Sequence, residues 1–303
     1  MNVIKWLLRG DESVSFLTRK YLTDQSPIQE NQGFIKRYLD LYHFERHMFG
    51  DGVYGPKWIS THYTMLELKY MEISFDHPIY QDALLTLLKY EWQHHGMYNK
   101  NRHQDMCIVG MLLSLACYGK SKDPKIEQMI DYILEHQFLD GGWNCTWEFK
   151  NPKISSVHTT LSILEGLNEY VMNQYQYRID EIKQKIKEGE NCLLNRHLYL
   201  KSSLDGPIDK HMSNVHYPPR WKYDFLRALE YFSNKNYPFD HRMGNALNHL
   251  KFMMHGPYLK KGSKISGIIH FQLEDEKFGR FNTLRALKVI KTYDFPLYKK
   301  LII

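Results

Sequence analysis

Apolar residues recur at helical spacing in five stretches of the chain, and each stretch opens with polar or basic residues beside an aromatic residue or a histidine. The stretches cover residues 57–71, 102–117, 155–170, 220–232 and 280–293. In the third stretch, Leu161, Leu164 and Leu167 recur every three residues, as on one face of a helix. Side chains typical of an N-cap stand near each start. They are Ser60 or Thr61, Asn101, Ser155, Asp224 and Asn282. The pattern predicts five capped helices.

A second and more polar set of helical patterns alternates with the first. These stretches cover residues 80–95, 125–139, 179–198 and 243–255. In 125–139 the apolar residues fall on a single face of the predicted helix. They are Ile126, Met129, Ile130, Ile133 and Leu134. Turns that contain glycine separate the two sets, so each pair predicts a helical hairpin with an apolar inner helix and an amphipathic outer helix.

Five or six such hairpins, with their inner helices parallel, are expected to close into a ring. The predicted fold is therefore all-α, an α/α toroid that forms a single domain over residues 1–303. Residues 1–44 form either an irregular segment or an extra first hairpin. The alternative is an open solenoid of helix pairs, which would show a steadier repeat length and polar capping repeats.

Composition and charge narrow the class of protein. The chain of 303 residues is 43% hydrophobic, which is enough for a sizeable core, and its net charge of +6 is scattered without a basic cluster. Nucleic-acid binding is therefore not expected. We expect no membrane span, since no long apolar run exists, although contact with a membrane surface is left open. The four cysteines match no paired metal or disulfide pattern, and the expected location is the cytoplasm with reduced thiols.

The stretch QFLDGGW places Gln137, Gly141 and Trp143 at the end of a predicted outer helix. We expect Gln137 to bond the loose carbonyl groups at that end, a glycine to adopt the left-handed conformation, and Trp143 to cover the turn and stack on the amide. The motif is interpreted as a structural clasp, outside any reaction centre.

The same motif resembles the QW motif of squalene and oxidosqualene cyclases, which is echoed in the β subunits of protein prenyltransferases. The order of DGGWNC, HTTLSILEGL, RWKYDFLRAL and FNTLRAL is similar to bacterial proteins described only as prenyltransferase- and squalene-oxidase-repeat-like, whose activity is not established. The resemblance implies a toroid and an apolar, isoprenoid substrate. The chain departs from the cyclases because it has no DxDD acid motif, and it also lacks the DDxxD metal motif of terpene synthases.

In a toroid the inner helices present their N-termini to one mouth of the cavity, which favours an anionic group. We take His62 and Asp224, at two such starts, as candidate catalytic residues. Aromatic and basic residues near the helix starts are candidates for binding the substrate. They are Trp58, Tyr63, Arg102, Trp147, Arg220, Trp221, Tyr223, Arg280 and Phe281.

The resemblance to prenyltransferase β subunits also implies a zinc site. In those proteins a D-x-C at one inner-helix start and a histidine at a following one bind zinc, which corresponds here to Asp105, Cys107 and His158. Cys145 could replace Asp105 as a ligand. Such a set leaves an open position on zinc. The alternative is that Cys107 is a buried apolar residue and His158 an ordinary N-terminal histidine.

Two other functions remain open from the sequence. The first is a toroid without catalysis that binds a glycan, a lipid or a protein. The second is a glycan-active (α/α)-barrel enzyme that uses a pair of carboxylates drawn from Asp140, Glu148 and Asp224, with tryptophans nearby to stack on sugar rings.

Overall fold

The computed structural model describes residues 2–264 and 266–303, and the chain is mostly helical. Its α-helices are α1 (Val3–Leu8), α2 (Glu12–Leu22), α3 (Phe34–Leu39), α4 (Thr61–Tyr70), α5 (Pro78–Tyr90), α6 (Met106–Tyr118), α7 (Lys125–Glu135), α8 (Trp147–Lys150), α9 (Val157–Met172), α10 (Ile179–Leu194), α11 (Phe225–Asn234), α12 (Gly244–Met253), α13 (Arg280–Tyr293) and α14 (Phe295–Ile302). Its strands are β1 (Tyr42–His43), β2 (Met48–Phe49), β3 (Met97–Asn99) and β4 (Arg102–His103). The strands form two short antiparallel pairs, β1 with β2 and β3 with β4. The predicted all-α class is confirmed.

The predicted helices are all present; α13 has the predicted bounds, and each of the others begins later or ends earlier than predicted. For example, α10 ends at Leu194, because His197 and Leu198 have φ angles of 44° and 69° that cannot continue a right-handed helix. In the part of the chain that the structure describes, no helix has both the length and the apolar character needed to cross a membrane.

The predicted N-caps hold only in part. Asp224 caps α11, and its side chain accepts a hydrogen bond from the Arg227 N–H at 2.8 Å. Asn282 lies inside α13 instead of capping it, so that prediction was wrong. The carboxylate of Glu274 occupies this end of α13 and accepts the Asn282 N–H at 2.8 Å. Asn101 lies ahead of the true cap residue of α6, Asp105.

The chain divides into two compact units. Unit 1 comprises Met1–Asp40, Tyr70–Ile73 and Leu194–Ile303, and unit 2 comprises Leu41–Lys69 and Ser74–Leu193. In unit 2, α6 is buried along nearly its whole length and packs against α5, α7 and α9. In unit 1, α13 packs against α2, α11 and α14. In each unit the helices that the sequence predicts to be inner ones are buried on most of their surface.

Helices α6 and α9 meet backbone to backbone at two glycines. A Cβ atom on Gly110 would lie 2.6 Å from the Ser162 carbonyl oxygen, and one on Gly166 would lie 2.5 Å from the Gly110 carbonyl oxygen. Real Cβ atoms do not approach this closely, so both positions require glycine for the crossing. Van der Waals contact between the two backbones then holds the centre of unit 2 together.

Gly110→Ala is expected to lower the free energy of unfolding by about 2 kcal/mol, because the new methyl group forces two packed helices apart. This loss exceeds the gain of about 1 kcal/mol that alanine brings to a helix. Denaturant unfolding followed by circular dichroism measures the change. The matched control is Gly244→Ala in α12, where φ is −55° and no atom lies within 4 Å of the new Cβ. There we expect stabilisation of about 0.5–1 kcal/mol, and equal effects at the two sites would contradict this account.

Unit 1 contains a buried polar network at the starts of α11 and α13. The guanidinium of Arg285 is 4% exposed and donates to Glu230 Oε2 at 2.7 Å and to the His216 carbonyl oxygen at 2.8 Å. Asp224 is fully buried and accepts hydrogen bonds from the His216 N–H at 3.1 Å and from the Arg227 N–H of α11 at 2.8 Å. Burial raises the pKa of Glu274 to about 7, although backbone N–H groups of α13 oppose the shift.

The raised pKa of Glu274 predicts a pH dependence of stability. The unfolded carboxyl has the ordinary pKa of 4.5, whereas the pKa of the folded one is about 7, so the folded state holds the proton between these values. Stability therefore falls as pH rises through this window, by about 3 kcal/mol for this group. Glu274→Gln, which cannot ionise, is expected to flatten that fall in urea titrations at about pH 5 and about pH 7. The same substitution at the exposed Glu30 should leave the pH dependence of stability unchanged. If the stability of the unmodified protein does not change between these pH values, Glu274 does not have the raised pKa.

Candidate active site

A histidine and a glutamate form a buried pair in unit 2. His62 is the second residue of α4, and Glu91 follows the last residue of α5. Their side chains are 0% and 3% exposed, and His62 Nδ1 lies 2.8 Å from Glu91 Oε2. Because a carboxylate only accepts, Nδ1 carries the proton of this hydrogen bond. His62 Nε2 is buried and finds no hydrogen-bond partner among the residues that the structure describes.

Aromatic side chains surround this pair. The rings of Tyr54 and Tyr63 lie edge-on to the His62 ring at centroid distances of 5.3 and 5.1 Å, and Trp58 packs edge-on against Tyr63 at 4.7 Å. The Tyr63 hydroxyl donates to the Tyr54 hydroxyl at 2.8 Å. Burial raises the pKa of both tyrosines, and the charge of Glu91 adds to the effect. Both phenols therefore stay protonated, and the cluster is apolar apart from these hydroxyl groups.

Two cysteines lie together at the start of α6. The backbone N–H of Cys107 donates to Cys145 Sγ at 3.1 Å, and the Thr159 hydroxyl, in the first turn of α9, donates to the same sulfur at 3.2 Å. The pKa of Cys145 is lowered by the hydrogen bond from the Cys107 thiol and by that from Thr159, although burial opposes the shift. The same thiol contact and burial raise the pKa of Cys107.

Polar and aromatic groups border the cysteine pair. Asp105, the cap residue of α6, forms an ion pair with Arg102. His103 binds Glu148 through Nδ1 at 2.7 Å and through its backbone N–H at 2.9 Å. The Trp147 ring packs against His103 at 5.7 Å. Burial raises the pKa of Glu148, but the hydrogen bonds from His103 outweigh it and lower the pKa overall.

The predicted zinc ligands are brought together only in part. Cys107 and Cys145 touch, and Asp105 is close enough to influence the pKa values of both. The carboxylate of Asp105 pairs with Arg102. In the described residues no group of three or more His, Cys, Asp or Glu side chains is arranged to hold a metal ion. The arrangement does not fit zinc as it stands, and zinc binding stays a prediction.

The remaining predicted site residues lie in unit 1, and most are engaged in packing there. Tyr223 is 1% exposed and donates its hydroxyl to the Leu198 carbonyl oxygen. Phe281 is also 1% exposed and stacks on Tyr217 at 4.1 Å. Arg280 lies over the Trp6 ring at 4.4 Å. Of the others, Arg220 is buried and Trp221 half-buried.

The second proposed catalytic residue, Asp224, has both carboxylate oxygens occupied. Oδ1 accepts the Arg227 N–H, and Oδ2 accepts the backbone N–H of His216 and lies 3.2 Å from His216 Nδ1. These contacts describe the cap of a helix. A role in proton transfer for Asp224 stays a prediction.

Sequence analysis missed Glu91, Tyr54 and Thr159. Glu91 stands at the end of an amphipathic outer helix, where a glutamate is usually exposed, and its burial depends on His62, 29 residues earlier in the chain. Tyr54 stands in the glycine-containing turn GDGVYG, which was interpreted only as a connection between helices. A weak signal for Thr159 existed, since it follows a predicted ligand in the stretch HTT.

The described side chains of unit 2 thus form a buried histidine–glutamate pair with aromatic rings beside it, and a pair of cysteines between the starts of α6 and α9. Comparisons with known proteins find no protein family that matches the chain and no curated protein that matches it.

Proposed function

We propose that this chain is an enzyme of the terpenoid cyclase and protein prenyltransferase type, and that it acts on an apolar, isoprenoid substrate. The cluster at the helix starts of unit 2 would be the active site. The observation that carries the proposal is the buried His62–Glu91 pair, with Nε2 of His62 uncommitted among the side chains that the structure describes and with aromatic rings around it. The α/α toroid implied by the sequence resemblance belongs to the same proposal.

The pair suits proton transfer. A buried imidazole whose Nδ1–H is held by a carboxylate has a fixed tautomer, and its Nε2 is aligned to accept or donate one proton. Burying these groups is costly, so the arrangement is better explained by function than by stability. An imidazolium is too weak an acid to protonate an isolated double bond. The pair is therefore better suited to removing a proton from a carbocation: the C–H bond breaks, its electrons form a C=C bond, and Nε2 takes the proton.

The aromatic cluster suits the substrate of such a reaction. The rings of Tyr54, Trp58 and Tyr63 offer an apolar surface, and aromatic rings stabilise a nearby cation by about 0.5–2 kcal/mol each. The same rings exclude water, which would otherwise capture a carbocation. Arg102, at the start of α6, would face an anionic head group. No step of this reaction is assigned to a metal.

The alternative of a glycan-active enzyme receives less support from the side-chain contacts. Asp140, one of the carboxylates considered for glycan cleavage, accepts hydrogen bonds from Ser155 N and Oγ at 2.9 and 3.0 Å, and thus holds a turn. Glu148 is paired with His103, and Asp224 caps a helix. Two carboxylates available for an acid and a base are therefore not identified.

The test is incubation of the purified protein with a series of linear isoprenoids, both alcohols and diphosphates, and with squalene. Products are analysed by gas chromatography and mass spectrometry, and binding is followed by tryptophan fluorescence. Conversion of one of these compounds is expected. Binding without conversion would favour a ligand-binding role, and neither binding nor conversion would refute the proposal.

A further inference from the structure

We propose that Cys107 and Cys145 form a thiol–disulfide exchange site that reacts with low-molecular-weight disulfides and closes to a disulfide bond within the chain. This inference is independent of the proposed reaction on isoprenoids. It also offers a different chemistry from zinc for the same two sulfurs, since the described residues contain no group of three or more His, Cys, Asp or Glu side chains arranged to hold a metal ion.

The geometry brings the two sulfurs within reach of a covalent bond. Cys145 Sγ accepts a hydrogen bond from the Cys107 thiol, and it lies 3.1 Å from the backbone nitrogen of Cys107. Because that nitrogen is bonded to its own Cα over about 1.5 Å, Cys145 Sγ is within about 4.6 Å of the Cys107 Cα. This separation is compatible with the ordinary geometry of a disulfide.

The surroundings single out Cys145 as the sulfur that attacks first. It accepts hydrogen bonds from Thr159 Oγ1 and from a backbone N–H in the first turn of the 13-residue helix α6. Both donors stabilise negative charge on the sulfur. Cys107 and Cys145 are half-buried residues, whereas Cys117 and Cys192 are buried, so the first two are the more accessible to a dissolved reagent.

The thiol–disulfide exchange takes two steps, and atoms and electrons balance in both. The Cys145 thiolate attacks one sulfur of a dissolved disulfide such as glutathione disulfide, an S–S bond forms, and one glutathione thiolate leaves. The Cys107 thiol then loses its proton to solvent and attacks Cys145 Sγ, and the second glutathione leaves as a thiolate that takes up a proton. The protein loses two hydrogens, and one disulfide is reduced to two thiols. The product ties the first turn of α6 to the segment between Gly142 and α8.

The experiment uses the whole chain, incubated with glutathione disulfide, alkylated after denaturation and mapped by peptide mass spectrometry. We expect a cross-linked peptide pair that contains Cys107 and Cys145, reversed by dithiothreitol, with Cys117 and Cys192 alkylated in the same sample. In Cys107→Ser the reaction should stop at a lasting glutathione adduct on Cys145. Cys117→Ser should still cross-link.

Three results would overturn the proposal. They are a lasting adduct on Cys145 in the unmodified chain, cross-links that involve Cys117 or Cys192, and no thiol lost at all. Because all four cysteines are mapped in the unmodified protein, the answer does not depend on the folding of either variant.

Discussion

Trp143→Ala is expected to lower the free energy of unfolding by about 3–5 kcal/mol. The Trp143 side chain is 0% exposed, and its Nε1–H donates to the Ile133 carbonyl oxygen in α7 at 2.8 Å. Its backbone N–H donates to Thr160 Oγ1 in α9 at 3.0 Å. The ring also packs on α10, because a Cβ on Gly189 would lie 2.9 Å from it. Truncation therefore opens a cavity where three helices of unit 2 meet.

Denaturant unfolding followed by far-ultraviolet circular dichroism measures the loss. The control is Phe149→Ala, an aromatic residue six positions later that is 54% exposed, where we expect a change within about 0.5–1 kcal/mol. Trp143→Phe should fall between the two, since it keeps most of the packing but removes the donor to Ile133. Comparable losses at Trp143 and Phe149 would show that the clasp does not carry the stability assigned to it.

His62→Gln is expected to lower kcat about 10²–10⁴-fold on the isoprenoid that the chain converts. Glutamine keeps a donor for Glu91 but has no basic nitrogen to take a proton. Glu91→Gln is expected to cause a loss of similar direction, because a neutral amide no longer fixes which nitrogen of His62 carries hydrogen. The measurement is product formation under saturating substrate, with a thermal melt of each variant to establish that it is folded.

The matched control is His241→Gln, since that side chain is 89% exposed and lies in unit 1. It should retain the full rate. If His62→Gln is folded and keeps the rate of the unmodified protein, the buried pair is structural, and proton transfer must be sought elsewhere.

The helices were largely predictable from sequence, because their signal is local. The three-residue spacing of leucines and the apolar face of 125–139 report burial directly, and the structure has α9 and α7 at those places. Ends of helices were less predictable. The rule for N-caps examines only neighbouring residues, whereas the end of α13 is held by Glu274, eight residues before Asn282. The closed ring stays a prediction.

In the clasp motif QFLDGGW, too, the local sequence did not identify which groups the side chains bind. Gly141 does adopt the predicted left-handed conformation, with φ of 88°. The hydrogen-bond partners of the other two residues differ from the prediction. Trp143, which was expected to stack on the amide, donates its Nε1–H to the carbonyl oxygen of Ile133 in α7. Gln137 instead donates to the Gly141 carbonyl oxygen at 2.6 Å and to that of Lys185 in α10 at 3.0 Å. Which carbonyl lies nearest depends on how the helices pack, which a motif does not encode.

The residues of the candidate site that lie near helix starts could be predicted from the sequence, whereas the hydrogen-bond partner of His62 could not. His62, Cys107 and Cys145 stand at or near helix starts that the pattern of polar residues marks. Glu91 could not be identified, because a glutamate at the end of an outer helix looks like an ordinary solvent-facing charge. Its role depends on a contact between α4 and the end of α5 that only the folded chain makes.

The paired glycines of α6 and α9 also bear on how this sequence can drift during evolution. Gly110 and Gly166 each face the carbonyl group of a neighbouring backbone, so neither position can accept another residue unless the whole crossing is rebuilt. The solvent-facing side of α7 carries no such restriction. In lineages descended from this chain, these two positions should stay fixed while much of the surrounding surface is replaced.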